Sequence, residues 1–276
     1  ILEKSPLAYL RRPMNKGEPI LLVCYSFPPV FGIGGRRWAK FAKELARRGH
    51  QVHVIRSAAP AEGPRSLWAA DAEHPNIIAH PLPTRYPAAL IKQPLRGMLN
   101  KVMYHLWVRL LPAFTDGNWY DRAIFWRTQL LHTASGLIAQ HGIRNVIVTG
   151  APFSLLHHSV DLKKDFPHIN LVGDFRDPWT WGPYYGQSSL SKRRMDLVRR
   201  HEAEVVSNFD KLISPHGGVI EHLRETYGGD PSRYAIIPHA IDPEDLGSAA
   251  GPPGDGLFRM IYAGSLYGAE EAEAYF

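Results

Sequence analysis

The 276-residue sequence predicts an α/β fold built on a doubly wound parallel sheet. Short apolar runs recur along the chain, segments with helical spacing separate them, and the runs are apolar on both faces. Strands of this kind lie in parallel sheets that helices cover on two sides. A hydrophobic content of 45% is sufficient for the core that such a sheet requires.

Seven runs are predicted as strands. In chain order they are ILLVCY (20–25), VHVI (52–55), NIIAH (76–80), NVIVT (145–149), INLVGDF (169–175), KLIS (211–214) and YAIIP (234–238). The clearest helix follows the first of them and is predicted from one apolar face, formed by Trp38, Phe41, Ala42, Leu45 and Ala46. Gly49 is expected to end that helix.

Composition divides the chain into four segments. Residues 1–19 are expected to be an N-terminal extension, and residues 20–244 are expected to form one domain. Residues 245–257 hold four glycines and two prolines in thirteen positions, which is typical of a linker. The run FRMIYAGSLY then predicts one strand and a glycine turn, so residues 258–276 are expected to be the truncated start of a second domain.

Charge and cysteine content favour a cytoplasmic protein with anionic ligands. The formal net charge is +6 and the isoelectric point is near 9.4. The one cysteine, Cys24, allows no intrachain disulfide, which fits a reducing compartment. The sequence shows neither signal-peptide character nor an apolar segment of membrane-spanning length, so we expect a protein that is neither secreted nor membrane-spanning.

The stretch SFPPVFGIGGRRWAKF links the first strand to the first helix and differs from both common nucleotide motifs. Arg37 stands where the dinucleotide fingerprint needs its third glycine, and the second strand closes on Arg56 rather than an acid. The Gly-Lys-Ser/Thr ending of a phosphate loop is also missing. An NADP-dependent reductase that uses Arg56 is therefore a weak alternative.

The glycines of this turn support two interpretations. Backbone N–H groups at Gly34 and Gly35, with the charges of Arg36 and Arg37 beside them, could hold an anion or a sugar hydroxyl at the start of the helix. Alternatively, the two glycines permit a tight turn and close packing of the helix on the sheet.

A second group of polar residues follows the fifth predicted strand. The run GDFRDPW places Asp174, Arg176 and Asp177 at its carboxyl end, where open α/β sheets bind ligands. The run TGAPFS, with Gly150, follows the preceding strand in the same way. Asp174 or Asp177 could orient an acceptor hydroxyl, or Arg176 could pair with either carboxylate and fix the loop.

Metal and nucleophile chemistry find no support in the sequence. The fourteen histidines show no metal-ligand spacing, and a G-x-S-x-G elbow is missing. Cys24 lies within a predicted strand. We therefore predict no metal and no cofactor.

Residues 94–111 are predicted as a cationic amphipathic helix. From His74 to Thr115 the sequence holds no Asp or Glu, and its cations are Arg85, Lys92, Arg96, Lys101 and Arg109. The apolar residues with helical spacing are Leu95, Met98, Leu99, Val102, Met103, Leu106, Trp107, Leu110 and Leu111. Such a stripe either packs on the domain or docks on an anionic membrane. Nucleic acid is not expected, because no nucleic-acid-binding motif accompanies the charge.

Taken in order, these motifs resemble the N-terminal half of a family 4 glycosyltransferase with the two-domain GT-B fold, whose domains are Rossmann-like. The resemblance covers residues 20–268, and the DFRDPW and YAGSLY runs are its most family-like parts. The chain reads IPHAID where the family usually reads IPNGxD, so His239 and Ala240 depart from the pattern. The family's donor-binding motif of two glutamates is also missing.

The resemblance implies a retaining glycosyltransferase of the hexosyltransferase type. Such an enzyme moves a sugar from a nucleotide-sugar to a glycan or polyprenyl-linked acceptor, in cell-surface polysaccharide or glycoconjugate synthesis at the cytoplasmic membrane face. It also implies that Gly34 and Gly35 face the cleft near the donor diphosphate, and that the group at Asp174, Arg176 and Asp177 lies on the acceptor side.

Two expectations about the chain itself follow from the resemblance. The 276-residue chain should be inactive without a donor-binding half. The alternative is a non-catalytic subunit that binds the acceptor or the membrane and needs a separate donor-binding partner.

Overall fold

The protein folds around a seven-stranded parallel sheet. The structure is a computed structural model and describes residues 17–58, 66–91, 97–182 and 190–246. The strands are β1 (Ile20–Val23), β2 (Val52–Ser57), β3 (Ile77–Leu82), β4 (Asn145–Gly150), β5 (Asn170–Phe175), β6 (Lys211–Ser214) and β7 (Tyr234–Ile236). Their order is β3-β2-β1-β4-β5-β6-β7, and every neighbouring pair is parallel. The predicted doubly wound sheet is therefore confirmed.

Helices connect the strands and cover both faces of the sheet. They are α1 (Arg36–Arg47), α2 (Ala88–Ile91), α3 (Met98–Phe114), α4 (Arg127–His141), α5 (Ser154–Asp165), α6 (Lys192–Asn208) and α7 (Gly217–Tyr227). Side chains alternate along β1: Leu21 and Val23 join one core cluster, which includes residues of α4 to α7, whereas Leu22 joins the other. Both faces are apolar because both are covered.

Helix α1 forms where the sequence predicts it. Trp38, Ala39 and Ala42 are buried in the second core cluster, and the half-buried Phe41 packs against them. The helix ends at Arg47, and Gly49 follows with a φ of 91°, a conformation that glycine adopts without steric cost.

Helix α3 attaches to the domain by one side. Its Leu111 is buried with Tyr86 and Trp119 in a small third cluster. Arg194 of α6 donates hydrogen bonds to carbonyl oxygens at the end of α3, those of Pro112, Thr115 and Gly117. The other side of the helix is exposed and carries Met98, Leu99, Val102, Leu106, Leu110 and Phe114.

The chain divides into two compact units, residues 1–240 and 241–276. Of the second unit, the structure describes residues 241–246, which include a short 3-10 turn, Pro243–Asp245. Residues 1–16, most of the predicted linker, the strand predicted after it, and residues 94–96 of the predicted amphipathic helix lie outside the described residues. The four predicted segment boundaries stay predictions.

Candidate functional site

The carboxyl ends of three neighbouring strands bring the predicted site residues to one edge of the sheet. The glycine turn follows β1, Gly150 ends β4, and the loop with Arg176 and Asp177 follows β5. Strand order reverses between β1 and β4, and ligands of open α/β sheets bind at such a switch point. The sequence-predicted residues therefore share one location.

Arg176 ties the three loops together. Its Nε donates to the carbonyl oxygen of Gly150 at 2.8 Å, and its Nη2 donates to that of Ala151 at 2.6 Å. Its Nη1 donates to the carbonyl oxygen of Gly34 in the glycine turn. A guanidinium suits this arrangement because its planar fork presents several fixed donors. The three loops are thereby held in one arrangement by a single side chain.

Asp174 lies beneath this surface rather than on it. The residue is 0% exposed, and its Oδ2 accepts hydrogen bonds from Nε1 of Trp38 at 2.6 Å and from the hydroxyl of Thr149 at 3.0 Å. Burial raises the pKa of this carboxyl, and the Arg37 guanidinium opposes that rise. Asp174 therefore joins α1, β4 and β5 from inside the protein.

Arg37, expected from the sequence to add charge beside the glycine turn, belongs instead to this buried group and is 7% exposed. Its Nε lies 3.6 Å from Oδ2 of Asp174, and its Nη1 donates to the carbonyl oxygen of Pro238 at 3.2 Å. Burial lowers the pKa of this guanidinium, an effect that Asp174 opposes. Nε and Nη2 of Arg37 and Oδ1 of Asp174 are buried without a hydrogen-bond partner among the described atoms. The sequence feature that indicates this burial is the position of Arg37 next to Trp38, at the border of the apolar face of α1.

The glycines of the site allow close packing. A Cβ on Gly35 would lie 2.1 Å from the carbonyl oxygen of Ser26, a distance that no side chain tolerates. A Cβ on Gly150 would lie 2.7 Å from Cδ1 of Phe153. Gly34 is less restricted, because its Cβ would first meet Nη1 of Arg176 at 3.2 Å. Close contact with the backbone of Ser26 inside the turn therefore accounts for Gly35 without excluding an anion beside it.

The N-termini of α1 and α5 differ in what they bind. The backbone N–H of Ser154, the first residue of α5, donates to Oδ2 of Asp121 at 2.8 Å. The first turn of α1 holds no acidic residue, and its N-cap residue, Gly35, has no side chain that could cap the helix. Arg36, the first residue of α1, places its guanidinium 5.7 Å from the ring of Trp68. The start of α1 is therefore positive and suited to an anion.

Two observations concern nucleophilic and metal chemistry. Burial raises the pKa of the Cys24 thiol to about 12, so this cysteine is protonated at neutral pH and unsuited to nucleophilic attack. Within the described ranges, no three His, Cys, Asp or Glu side chains are placed to hold a metal ion.

Residues 34–245 of the chain match the family model of Glycosyltransferase Family 4. The chain belongs to this family. The match begins at Gly34 in the glycine turn, includes the loops after β4 and β5, and ends with the 3-10 turn Pro243–Asp245. The family resemblance seen in the motifs is confirmed.

Solved structures of similar fold include glycosyltransferases. One is WaaG, a glycosyltransferase involved in lipopolysaccharide biosynthesis, with 17% identity over 82% of this chain and 46% of that one, and a TM-score of 0.41. Another is UGT71G1 of Medicago truncatula complexed with UDP-glucose, with 13% identity over 89% and 55% and a TM-score of 0.45. The chain spans about half the length of these solved structures. No curated protein matches it.

One departure of this family 4 chain from the usual motif lies near the site. His239 replaces the usual Asn after β7, and its ring centroid is 5.8 Å from that of His216. Desolvation and the charge of Arg37 lower the pKa of His239. The position therefore favours a neutral imidazole where the family usually has an amide.

Proposed function

We propose that the full-length protein is a retaining glycosyltransferase that moves a sugar from a nucleotide-sugar to a glycan or lipid-linked acceptor in cell-surface polysaccharide or glycoconjugate synthesis. The residues of this chain would form the acceptor side of its site. The observation that carries the proposal is the positive start of α1, which the Arg176 hydrogen bonds hold beside the loop with Asp177. Membership of the family supplies the reaction class.

The start of α1 suits the charge that develops during transfer. As the bond between the anomeric carbon and the diphosphate oxygen breaks, negative charge grows on the leaving diphosphate. N–H groups at Gly34 and Gly35 and the guanidinium of Arg36 would stabilise that charge. Because Arg176 and the packing of Gly35 fix these groups beforehand, they need little reorganisation in the transition state.

Of the two carboxylates, Asp177 is the better candidate to orient the acceptor hydroxyl. Asp174 is fully buried and accepts hydrogen bonds from Trp38 and Thr149. Asp177 is half-buried and lies three residues further along the chain, in the loop after β5. We assign Asp177 to the acceptor and Asp174 to the positioning of α1.

The test compares Asp177→Asn with Asp174→Asn in the full-length protein. Sugar transfer from a panel of nucleotide-sugars to a lipid-linked acceptor extract is measured, together with the free energy of unfolding. Asp177→Asn should reduce transfer with little change in stability, because it leaves the buried network intact. Asp174→Asn should change stability as well, because it alters a buried charge. Transfer that is unaffected by Asp177→Asn and by Arg36→Gln would contradict these assignments.

The 276-residue chain, assayed beside the full-length protein, distinguishes the two forms of the proposal. We expect no transfer by the chain alone. Transfer by the full-length protein would favour an enzyme over a binding subunit. If the full-length protein also needs a second polypeptide for transfer, the alternative of a non-catalytic acceptor-binding subunit is correct.

The exposed side of α3 supports a second role, docking on the cytoplasmic face of an anionic membrane. Met98, Val102 and Phe114 are 82%, 55% and 73% exposed, and the spacing of four residues continues through Leu106 and Leu110. An exposed apolar stripe of this length is unusual for a surface that faces water. Lys101 and Arg109 are exposed on the same helix, and no acidic residue occurs from His74 to Thr115. The described residues contain no helix that is long and apolar enough to cross a bilayer.

Vesicle flotation tests the docking role. The protein is mixed with phosphatidylcholine vesicles that contain or lack phosphatidylglycerol, and bound protein is measured. Val102→Ser with Leu106→Ser should abolish binding, and Lys101→Gln with Arg109→Gln should remove the preference for anionic vesicles. Leu67→Ser is the matched control, because Leu67 is 82% exposed outside α3. Equal vesicle binding by the wild type and by the Val102/Leu106 variant would contradict membrane docking through α3.

A further inference from the structure

A cavity of about 470 Å³ lies between α6, α7 and the end of the loop after β5. Thr180 and Trp181 line it, and they belong to the same loop after β5 as Arg176 and Asp177. Cavities that bind small molecules span roughly 300–1,000 Å³. The cavity therefore has room for a small ligand next to the loop that we assign to the acceptor.

Two tryptophans of this loop, two residues apart, have opposite environments. Trp179 is 4% exposed and stacks on Phe153, with ring centroids 5.1 Å apart and ring planes at 5°. Trp181 is 46% exposed, and its ring centroid lies 4.7 Å from that of His222. An indole gains free energy when its face is covered. Trp181 therefore offers the cavity an apolar face that the described residues leave partly open.

The loop holds Trp181 in a fixed position. A Cβ on Gly182 would lie 2.9 Å from Cβ of Pro178, so the turn around Trp181 is tight. The hydroxyl of Thr180 donates to Oε2 of Glu202 at 2.5 Å. Because the indole is already ordered, stacking of a ligand on it costs little conformational entropy in the loop.

Glu202 binds the hydroxyl groups of two residues that line the cavity, Thr180 and Tyr227. It is 0% exposed, and its Oε2 also accepts a hydrogen bond from the hydroxyl of Tyr227 at 2.7 Å. Burial raises the pKa of this carboxyl, and Oε1 has no hydrogen-bond partner in the described part of the chain. Since both hydroxyl protons point to Glu202, the oxygens of Thr180 and Tyr227 keep lone pairs that can accept hydrogen bonds from a ligand.

Positive charge completes the lining. Arg199 and Arg200 of α6 line the cavity, and none of the described lining residues carries a carboxylate. Arg199 also donates to Oδ1 of Asp196 at 3.2 Å. The cavity thus combines an aromatic face, hydrogen-bond acceptors and cationic donors. A pyranose has an apolar C–H face and a rim of hydroxyls, and an acidic sugar adds a negative group that the arginines would bind.

We propose that this cavity binds an acidic sugar unit, stacked on Trp181 with its anionic group at Arg199 and Arg200, as a subsite for an acceptor glycan. The assignment to the acceptor rests on the proposed function. The binding of the sugar depends on the cavity alone.

Titration calorimetry with glucuronic acid, glucose and inorganic phosphate tests the proposal on the purified protein without any donor. Glucuronic acid should bind about tenfold more tightly than glucose, the size of one charge-assisted hydrogen bond. Trp181→Ala should abolish binding of both sugars. The double change Arg199→Gln with Arg200→Gln should reduce the affinity for glucuronic acid to that for glucose. Leu67→Ala is the matched control, since Leu67 is an exposed apolar residue away from the cavity lining, and it should change neither affinity.

The outcomes separate this subsite from the proposed function. Glucuronic acid binding that is unchanged in Trp181→Ala would overturn the subsite and leave the transfer reaction as it stands. Inorganic phosphate that binds as tightly as glucuronic acid, regardless of Trp181, would identify an anion site and equally overturn the proposal. Binding that depends on Trp181 supports the subsite even where the full-length protein shows no transfer.

Discussion

Helices α1 and α3 have the same kind of sequence but different surroundings. Both combine basic residues with apolar residues at helical spacing. In α1, Trp38 and Ala42 are buried against the sheet, whereas in α3, Met98 and Phe114 are more than two-thirds exposed. The pattern identifies an apolar face in each helix. It does not identify what covers that face.

Connectivity explains the difference. Helix α1 follows β1 directly and leads into β2, the neighbouring parallel strand, so the crossover holds it on the sheet. Helix α3 lies in the long connection between β3 and β4, which also contains α2 and α4. Only the side of α3 that carries Leu111 meets a core cluster. The connection between neighbouring parallel strands thus places the apolar face of α1 on the sheet. The longer connection from β3 to β4 does not determine what covers the apolar face of α3.

The largest expected effect separates the two sides of α3 itself. Leu111 is 1% exposed and its neighbour Leu110 is 38% exposed. Leu111→Ala should lower the free energy of unfolding by about 2–5 kcal/mol, because it leaves a cavity in the third cluster. Leu110→Ala should lower it by less than about 1 kcal/mol. Denaturant unfolding measures both, and equal losses would mean that α3 is covered on both sides.

The second-largest expected effect concerns Gly35, the residue that precedes α1. Gly35→Ala should lower the free energy of unfolding by about 1–3 kcal/mol, because its Cβ would overlap the carbonyl oxygen of Ser26. The control is Gly136→Ala on the exposed side of α4, where a Cβ meets nothing within 4 Å. That change should raise stability by about 0.5–1 kcal/mol. A Gly35→Ala protein as stable as wild type would refute the close contact.

Acid should destabilise the core on the face of the sheet opposite α1, where His53 contacts His141 of α4 and His158 contacts Ala123. Burial lowers the pKa values of His53 and His158 from 6.5 to about 4. The unfolded chain therefore binds protons first as pH falls, and the free energy of unfolding should decrease between pH 6.5 and about 4. Each of these histidines contributes up to about 1.4 kcal/mol per pH unit. Thermal unfolding across this range should show the slope, and His158→Gln should reduce it; an unchanged slope would contradict the assignment.

The smallest expected effect belongs to the exposed stripe of α3. Val102→Ser should change the free energy of unfolding by less than about 0.5 kcal/mol, because Val102 is 55% exposed. The same change should weaken vesicle binding. Ala42→Ser is the counterpart in α1, where the residue is 0% exposed, and it should destabilise the protein measurably. Thermal melts of the two variants make the comparison direct.

The sequence predicts the sheet, α1 and the common edge of the site residues, because each depends on periodicity and on the direction of parallel strands. It does not predict that Asp174 is enclosed by Trp38, since that contact joins residues 136 positions apart and depends on how α1 is seated. The opposite environments of Trp179 and Trp181 also depend on packing, because both follow the same strand. Local pattern locates a site, and tertiary contacts decide which side chains reach its surface.

Arg176 has a consequence for how this protein can diversify. One planar group holds the carbonyls of Gly34, Gly150 and Ala151 while its own backbone belongs to the third loop. An insertion in the glycine turn or in the loop after β4 would break the hydrogen bonds that join that loop to Arg176, and an insertion before Arg176 would displace the guanidinium from both. New specificities are accessible through side-chain substitutions on a fixed frame, whereas changes in loop length are not.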